Sequence, residues 1–294
     1  MSEKEYSHFY LHEGKYLPTG TEVNSVKALP PGCYQYHSNT KNEWFTPFEL
    51  KFDEILDLPS PEYSFVTQQF SHFLTPKVKQ QFKDFKFLYK RSVLLYGAWG
   101  TGKSIITNRI AEECVKKYNG IVLFATDATD VRNTIKIIEQ TQPETPLVVI
   151  LEELDEILKA EERQMLVILD GAVQKNNIMF LATTNHIDKI PKRVLRPGRF
   201  SLVVEIKYPN EEARRMYFES KLGKNHERIG LYTLNTSGLS IDELKEVLIS
   251  CEIFEQNLSE TVSRILTTRE SNNTNNSYNE DYSDDCEEEE YHGN

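Results

Sequence analysis

The chain has 294 residues, 39% hydrophobic and 27% charged, with a formal net charge of −11, figures ordinary for a globular protein with one substantial core and room for a smaller unit. No apolar run nears the ~18 to 20 residues that span a bilayer, and the start Met1-Ser2-Glu3-Lys4-Glu5-Tyr6 has neither the basic opening nor the apolar stretch of a signal peptide, so the expected setting is soluble and cytoplasmic. The four cysteines (Cys33, Cys114, Cys251, Cys286) lack the paired spacing of a zinc site or disulfide framework, and residues from Glu270 onward hold nine of the 45 acidic residues and none of the basic ones, leaving residues 1–269 nearly neutral, 34 against 36, with no overall basic footprint for nucleic acid.

Residues 1–60 are rich in Tyr, Pro, Asn and Gly. A turn at Pro30-Pro31-Gly32 precedes Cys33-Tyr34-Gln35-Tyr36, which alternates like a short strand, so this part reads as a small β-containing segment. From about 61 to 90 the pattern predicts helix, with Lys79, Lys83, Lys86 and Lys90 on one face: either a solvated face or a basic stripe for a polyanionic partner. Five short apolar runs follow, Val93 to Tyr96, Ile121 to Phe124, Leu147 to Leu151, Ile178 to Ala182 and Leu202 to Ile206, with helix-length segments between the first four. Runs apolar on both faces that alternate with helices predict an α/β core over 61–208, a parallel sheet covered on both sides. After Pro209 helical patterns take over, including the capping box Ser240-Ile241-Asp242-Glu243 with Leu239 and Leu244 placed as a staple, so 209–269 reads as a small helical unit. Residues 270–294 are too polar to bury and predict a disordered acidic tail, a solubilising end or an arm for a basic partner.

The chemistry centres on Gly97-Ala98-Trp99-Gly100-Thr101-Gly102-Lys103-Ser104, which satisfies G-x-x-x-x-G-K-[ST] between the strand Val93 to Tyr96 and a helix. Glycines let backbone N–H groups wrap phosphates, and the helix N-terminus adds a favourable dipole. Lys103 would neutralise β- and γ-phosphate charge and Ser104 would ligate Mg²⁺, so ATP with Mg²⁺ is the expected ligand. The third run ends in Glu152-Glu153-Leu154-Asp155, two carboxylates at the sheet edge where open α/β folds bind ligands. Glu152 suits the hydrated Mg²⁺ and Glu153 the orientation of the attacking water. Ala182-Thr183-Thr184-Asn185 sets an amide at the next strand end, where Asn185 could hydrogen-bond both that water and the γ-phosphate. Leu195-Arg196-Pro197-Gly198-Arg199-Phe200 puts two arginines around a tight turn, able to stabilise a transferring phosphoryl group, also from a neighbouring subunit.

With these elements in this order, residues of about 88 to 250 resemble the AAA family of P-loop ATPases (AAA+ superfamily). The specific matches are Lys90-Arg91-Ser92-Val93-Leu94-Leu95-Tyr96-Gly97 running into the phosphate loop, Ala182 to Asn185, Leu195 to Phe200, and a lid-like Thr236-Ser237-Gly238-Leu239-Ser240 followed by Asp242-Glu243-Leu244. The resemblance implies a three-layer sandwich with sheet order 5-1-4-3-2, a helical lid, and rings, usually hexameric, with ATP at subunit interfaces, where Arg196 and Arg199 act on the neighbour's nucleotide. Two residues depart from the family: Glu152 where Asp is usual, and Trp99 where proline is usual. The segment Ala125-Thr126-Asp127-Ala128-Thr129-Asp130-Val131 also lacks the aromatic-apolar-Gly pore loop of protein-threading members. In that last respect, and in Leu151-Glu152-Glu153-Leu154-Asp155, the chain looks like compact single-ring AAA proteins of phages and other viruses, and like the core of the mitochondrial AAA chaperone for the Rieske protein without that protein's transmembrane anchor. The expected function is an ATPase that remodels or disassembles a protein assembly, its specificity in the first 60 residues. The alternatives are a DNA-transaction ATPase of the clamp-loader or replication-accessory type, for which the lysine stripe would be the binding face, and a nucleotide-switched scaffold of low turnover.

Overall fold

The computed structural model describes residues 6–20, 25–50, 60–171 and 175–281. Along the first unit, which ends at Tyr208, come β1 (His8–His12), β2 (Lys15–Thr19), β3 (Ser25–Val26), β4 (Gly32–Ser38), β5 (Glu43–Pro47), α1 (Pro61–Phe73), α2 (Pro76–Asp84), β6 (Lys90–Tyr96), α3 (Lys103–Tyr118), β7 (Ile121–Phe124), α4 (Ala128–Thr141), β8 (Leu147–Leu151), α5 (Leu154–Leu169), β9 (Ile178–Thr184) and β10 (Leu202–Glu205). Successive strand residues point to opposite faces, and the two cores follow that alternation. Leu94, Leu123, Val149, Leu151, Phe180 and Ala182 join the layer under α4 and α5. Val93, Leu95, Val122, Val148, Ile150, Met179 and Leu181 join the layer under α1 and α3. Strands apolar on both faces are thereby explained, and the unit is a three-layer α/β sandwich.

The five parallel strands lie in the order β10-β6-β9-β8-β7, the fifth-first-fourth-third-second arrangement that the family resemblance implies. The sheet does not stop at β7. Strand β4 pairs parallel with it, matching Cys33 to Val122, and β5, β2, β1 and β3 continue the same sheet to ten strands. The five described strands before residue 50 therefore extend the core sheet. The reason is the alternation at Tyr34 and Tyr36: both side chains are buried with Phe9 and Phe45 in the core under α4 and α5, with edge-on ring contacts to Phe45 at 6.3 and 5.5 Å respectively. Pairing β7 also covers a strand edge that would otherwise be open.

The expected helix over 61–90 is two helices and a strand start. Thr75 caps α2, accepting from Val78 N, with Pro76 at the first helical position, where a missing N–H costs nothing. Lys86, past the end of α2, has φ 57°, and Lys90 opens β6. The four lysines therefore do not share a helical face. Lys79 is bound to Glu144 at 2.6 Å, and the Lys90 ammonium donates to the carbonyls of Leu169 and Gly198. The basic stripe that motivated a nucleic-acid reading is absent.

The second unit begins at Pro209 and contains α6 (Glu211–Leu222), α7 (Ile229–Asn235), α8 (Ile241–Leu248), a π-helical turn (Ile249–Ile253) and α9 (Leu258–Asp281). Both bonds of the capping box form: Ser240 Oγ accepts from Glu243 N at 3.3 Å, and Glu243 Oε2 from Ser240 N at 2.7 Å. Leu239, Leu244, Val247, Leu248 and Cys251 are all buried. Arg269 on α9 donates to Gly238 O at 3.0 Å. Helix α9 runs on into the stretch expected to be disordered from residue 270. A helix nucleated on packed residues gains one hydrogen bond per residue added, so polar composition alone does not end it. The acidic run Asp284 to Glu290 lies outside the described residues, as does Cys286. Among the described residues no helix is long and apolar enough to cross a membrane.

Just before β9, the Lys175 side chain is fully buried, its ammonium 2.9 Å from Pro143 O and 3.7 Å from Glu139 Oε2. Burial outweighs Glu139 and pulls its pKa from 10.5 down to about 8. Below that pH both folded and unfolded chains are protonated and the buried charge is a standing cost. Between pH 8 and 10.5 the unfolded chain holds a proton the folded one has released, so stability rises with pH across that window. Urea unfolding from pH 8 to 10 should show the parent gaining on the order of 2 kcal/mol relative to Lys175→Gln. Parallel profiles for the two proteins would count against this account.

Candidate functional site

The parallel register brings three loops to one sheet edge. Tyr96, the last residue of β6, is opposite Thr184, the last of β9, and Leu151, the last of β8, is opposite Ala182. The phosphate loop follows β6, Glu152 and Glu153 follow β8, and Asn185 follows β9, which lies between them, so these sequence-predicted groups rise side by side.

In the loop, Gly97 has φ 153°, and a Cβ there would stand 2.2 Å from the carbonyl oxygen of Ile206. That close approach exists because Ile206 N donates to Tyr96 O at 2.7 Å, which presses the strand after Tyr96 against its neighbour. Gly100 and Gly102 have φ 70° and 99°, left-handed conformations that cost glycine little. Thr101 Oγ1 donates to Ala98 O at 2.9 Å. Lys103 is buried along its stem, and its ammonium donates to Gly97 O at 2.8 Å and Ala98 O at 2.7 Å. Helix α3 starts at Lys103 with no side-chain cap, leaving its first N–H groups to whatever anion the loop embraces. Ser104 is exposed on its first turn.

Glu152 and Glu153 are exposed. Glu153 is the N-cap of α5 in a left-handed conformation, φ 51° and ψ 53°, which for a residue with a Cβ costs about 1 to 2 kcal/mol. Its carbonyl accepts from Glu156 N at 2.9 Å. Two residues on, the nearly buried Asp155 accepts a 2.5 Å hydrogen bond from Thr184 Oγ1. The Thr184 oxygen in turn accepts from His186 N at 3.0 Å. Asn185 is half-buried between these two residues. The His186 ring meets the ring of Trp99 edge to face, centroids 5.0 Å apart and planes at 78°. Sequence reasoning missed the partnership of Asp155 with Thr184 and the part of His186, although Asp155 and Thr184 stand inside the motifs singled out there.

The arginine turn lies elsewhere. Arg199 grips Asp170, the C-cap of α5, with Nε at 2.6 Å and Nη2 at 2.7 Å, and donates from Nη1 to Arg193 O at 2.6 Å. Paired so, the Asp170 carboxyl is held below its usual range, chiefly by the hydrogen bond from Arg199. Lys90, the first residue of β6, donates to Gly198 O at 2.9 Å. The turn is thus anchored at the start of the strand whose end carries the phosphate loop. Seven residues of parallel strand at ~3.3 Å each put about 20 Å between the two. Arg196 is exposed beside it. The chain therefore gathers the loop, Glu152, Glu153 and Asn185 in one place and keeps Arg196 and Arg199 in another.

The hydroxyl of Ser104 and the carboxylate of Glu152 are hard oxygen donors that suit Mg²⁺, an ion that takes few protein ligands and completes its shell with water and phosphate. Among the described residues there is no group of three or more His, Cys, Asp or Glu that could hold a metal ion.

Residues 93–208 match the model of the family described as "ATPase family associated with various cellular activities (AAA)". The chain is 26% identical over 228 residues to a proteasome-activating nucleotidase of Sulfurisphaera tokodaii, covering 67% of this chain and 58% of that protein. It is 25% identical over 280 residues to the vesicular-fusion protein SEC18 of Candida albicans, covering 80% and 34%. With SEC18 of Saccharomyces cerevisiae it shares 29% over 196 residues, 52% and 25%. The chain thus spans from about a quarter to somewhat over half the length of these relatives.

The Gly97 geometry is directly testable. Gly198 also has positive φ, 92°, but a Cβ there meets nothing within 4 Å. Gly97→Ala should therefore cost about 2 kcal/mol more in urea unfolding than Gly198→Ala, the excess coming from the clash with backbone that cannot rotate away. Equal costs would mean that the Ile206 carbonyl yields freely.

Proposed function

We propose, from the match of residues 93–208 to the AAA family model, that the protein binds ATP with Mg²⁺ and hydrolyses it to ADP and phosphate at a site shared between copies of the chain. The observation that carries this reading is the register that sets the phosphate loop, two exposed acids and Asn185 on adjacent strand ends. Loop N–H groups and the start of α3 hold the phosphates. Lys103, whose ammonium already lies against the loop carbonyls, turns to phosphate oxygens that bind it more strongly than neutral carbonyls do. Ser104 and Glu152 hold Mg²⁺, which when bound neutralises charge on the β- and γ-phosphates. Glu153, held over the edge by its left-handed backbone, orients the attacking water, and Asn185 hydrogen-bonds that water and the γ-phosphate.

Arg196 is about 20 Å from its own loop by the strand length above, too far to act there. It is exposed, while Arg199 is bound to Asp170 behind it. This supports Arg196 meeting the nucleotide of a second copy, with Arg199 shaping the turn, in a closed ring that family likeness makes a hexamer. The names of the relatives, a proteasome-activating nucleotidase and vesicular-fusion proteins, support action on a protein complex. The broken lysine stripe removes the motive for a nucleic-acid substrate.

Glu153→Gln should keep ATP binding and lose at least ~10²-fold in kcat, the scale of general-base removal. Parent-like turnover by this variant would end the proposed mechanism. Arg196→Gln should also be inactive alone. Mixing it with Glu153→Gln should restore turnover, since mixed assemblies contain interfaces with one intact Glu153 and one intact Arg196. No recovery at any mixing ratio would overturn the shared site while leaving ATP binding intact.

A further inference from the structure

Trp99 is 54% exposed, so core packing does not explain a large aromatic side chain in the phosphate loop. What it touches is His186. The roots of their two loops are neighbours, since Tyr96 is opposite Thr184. Trp99 is three residues beyond one root and His186 two beyond the other, so their rings bridge the gap above the sheet edge. Asn185 lies between two fixed points. On one side Thr184 is bonded to Asp155 and to the backbone N–H of His186; on the other the His186 ring rests against Trp99.

We propose that Trp99 and His186 form an aromatic latch that positions Asn185 against the γ-phosphate, making the site select nucleoside triphosphate over diphosphate. The inference rests on the reading of the loop and Asn185 given above. The α- and β-phosphates are held by loop N–H groups and by Lys103, whose ammonium lies against the carbonyls of Gly97 and Ala98, whereas the ring of His186 comes from the neighbouring strand end. Only a γ-phosphate extends beyond the loop to the neighbouring strand end, so only a triphosphate gains from a correctly held amide there. Trp99 and His186 are positioning residues acting through Asn185; their effect belongs to the triphosphate alone.

The test is calorimetric titration of the full-length protein with Mg-ADP and with Mg-AMP-PNP, a non-hydrolysable triphosphate. His186→Ala should weaken AMP-PNP by about tenfold, the scale of one hydrogen bond to a charged oxygen, and leave ADP within about twofold; Trp99→Ala should shift the ADP to AMP-PNP ratio in the same direction. Trp99→Phe, which keeps an aromatic edge, should retain the parental preference. Asn185→Ala should reproduce the loss, and adding Trp99→Ala to it should cost nothing further, the non-additivity expected of residues acting through one group. A parent-like ADP to AMP-PNP ratio in His186→Ala, equal weakening of both nucleotides in Trp99→Ala, or additive losses in the double variant would each overturn the latch. Binding of neither nucleotide by the parent would instead sink the ATP reading itself, and the latch with it.

Discussion

Hydrogen bonding in a parallel ladder fixes which residues stand abreast, and side chains alternate with a period of two, so a slip of one residue turns every side chain to the wrong face. In this protein that constraint acts most sharply where β6 lies beside β9. Seven matched pairs run from Lys90 with Ile178 to Tyr96 with Thr184. Apolar side chains on both faces hold the register, because a slip would move Leu94 and Phe180 out of one core and Val93 and Leu181 out of the other. Packing far from that sheet edge thus decides that the loop, the acids and Asn185 emerge together. Glycine at 97 then becomes a requirement of the ladder itself, since the Ile206 carbonyl occupies the space a side chain would need.

Polar groups secure what the ladder brings close. The bond from Thr184 to Asp155 is made between nearly buried groups, where an unpaired partner would be costly, so strand β9 and the start of α5 are locked together within two residues of Glu153. At the far end of α5, Asp170 holds Arg199. One helix therefore begins beside the acid that would orient water and ends on the carboxylate that sets the arginine turn. It carries a non-helical residue, Glu161, midway, whose carboxylate accepts from Ala128 N at the start of α4 at 2.7 Å.

Much of this was legible in the sequence because it is local. The phosphate loop, the capping box at Ser240 and the apolar runs are patterns in consecutive residues, and the five-strand order follows once they are matched to the family. What was not legible depends on residues far apart in the chain. Asp155 and Thr184 are 29 positions apart, as are Asp170 and Arg199, and nothing in spacing pairs them. Lysines at helical spacing suggested a continuous face because periodicity does not reveal that Pro76 starts a new helix or that Lys86 ends one with positive φ. The N-terminal strands looked like a separate piece because strand pairing across some 90 residues, Cys33 with Val122, leaves no mark on either segment alone.

That last pairing has a mechanical consequence. Strand β4 is bonded along β7 in the same direction, and β7 is bonded to β8 and β8 to β9. A pull on the N-terminal strands along their length loads these ladders in shear, where several hydrogen bonds resist at once instead of parting one by one. Whatever grips strands β4 and β5 is therefore coupled through paired strands to those that lead into Glu152, Glu153 and Asn185. The two strands act as a handle on the sheet, and force arising at the edge that carries Glu152, Glu153 and Asn185 has a load path to them along the paired strands.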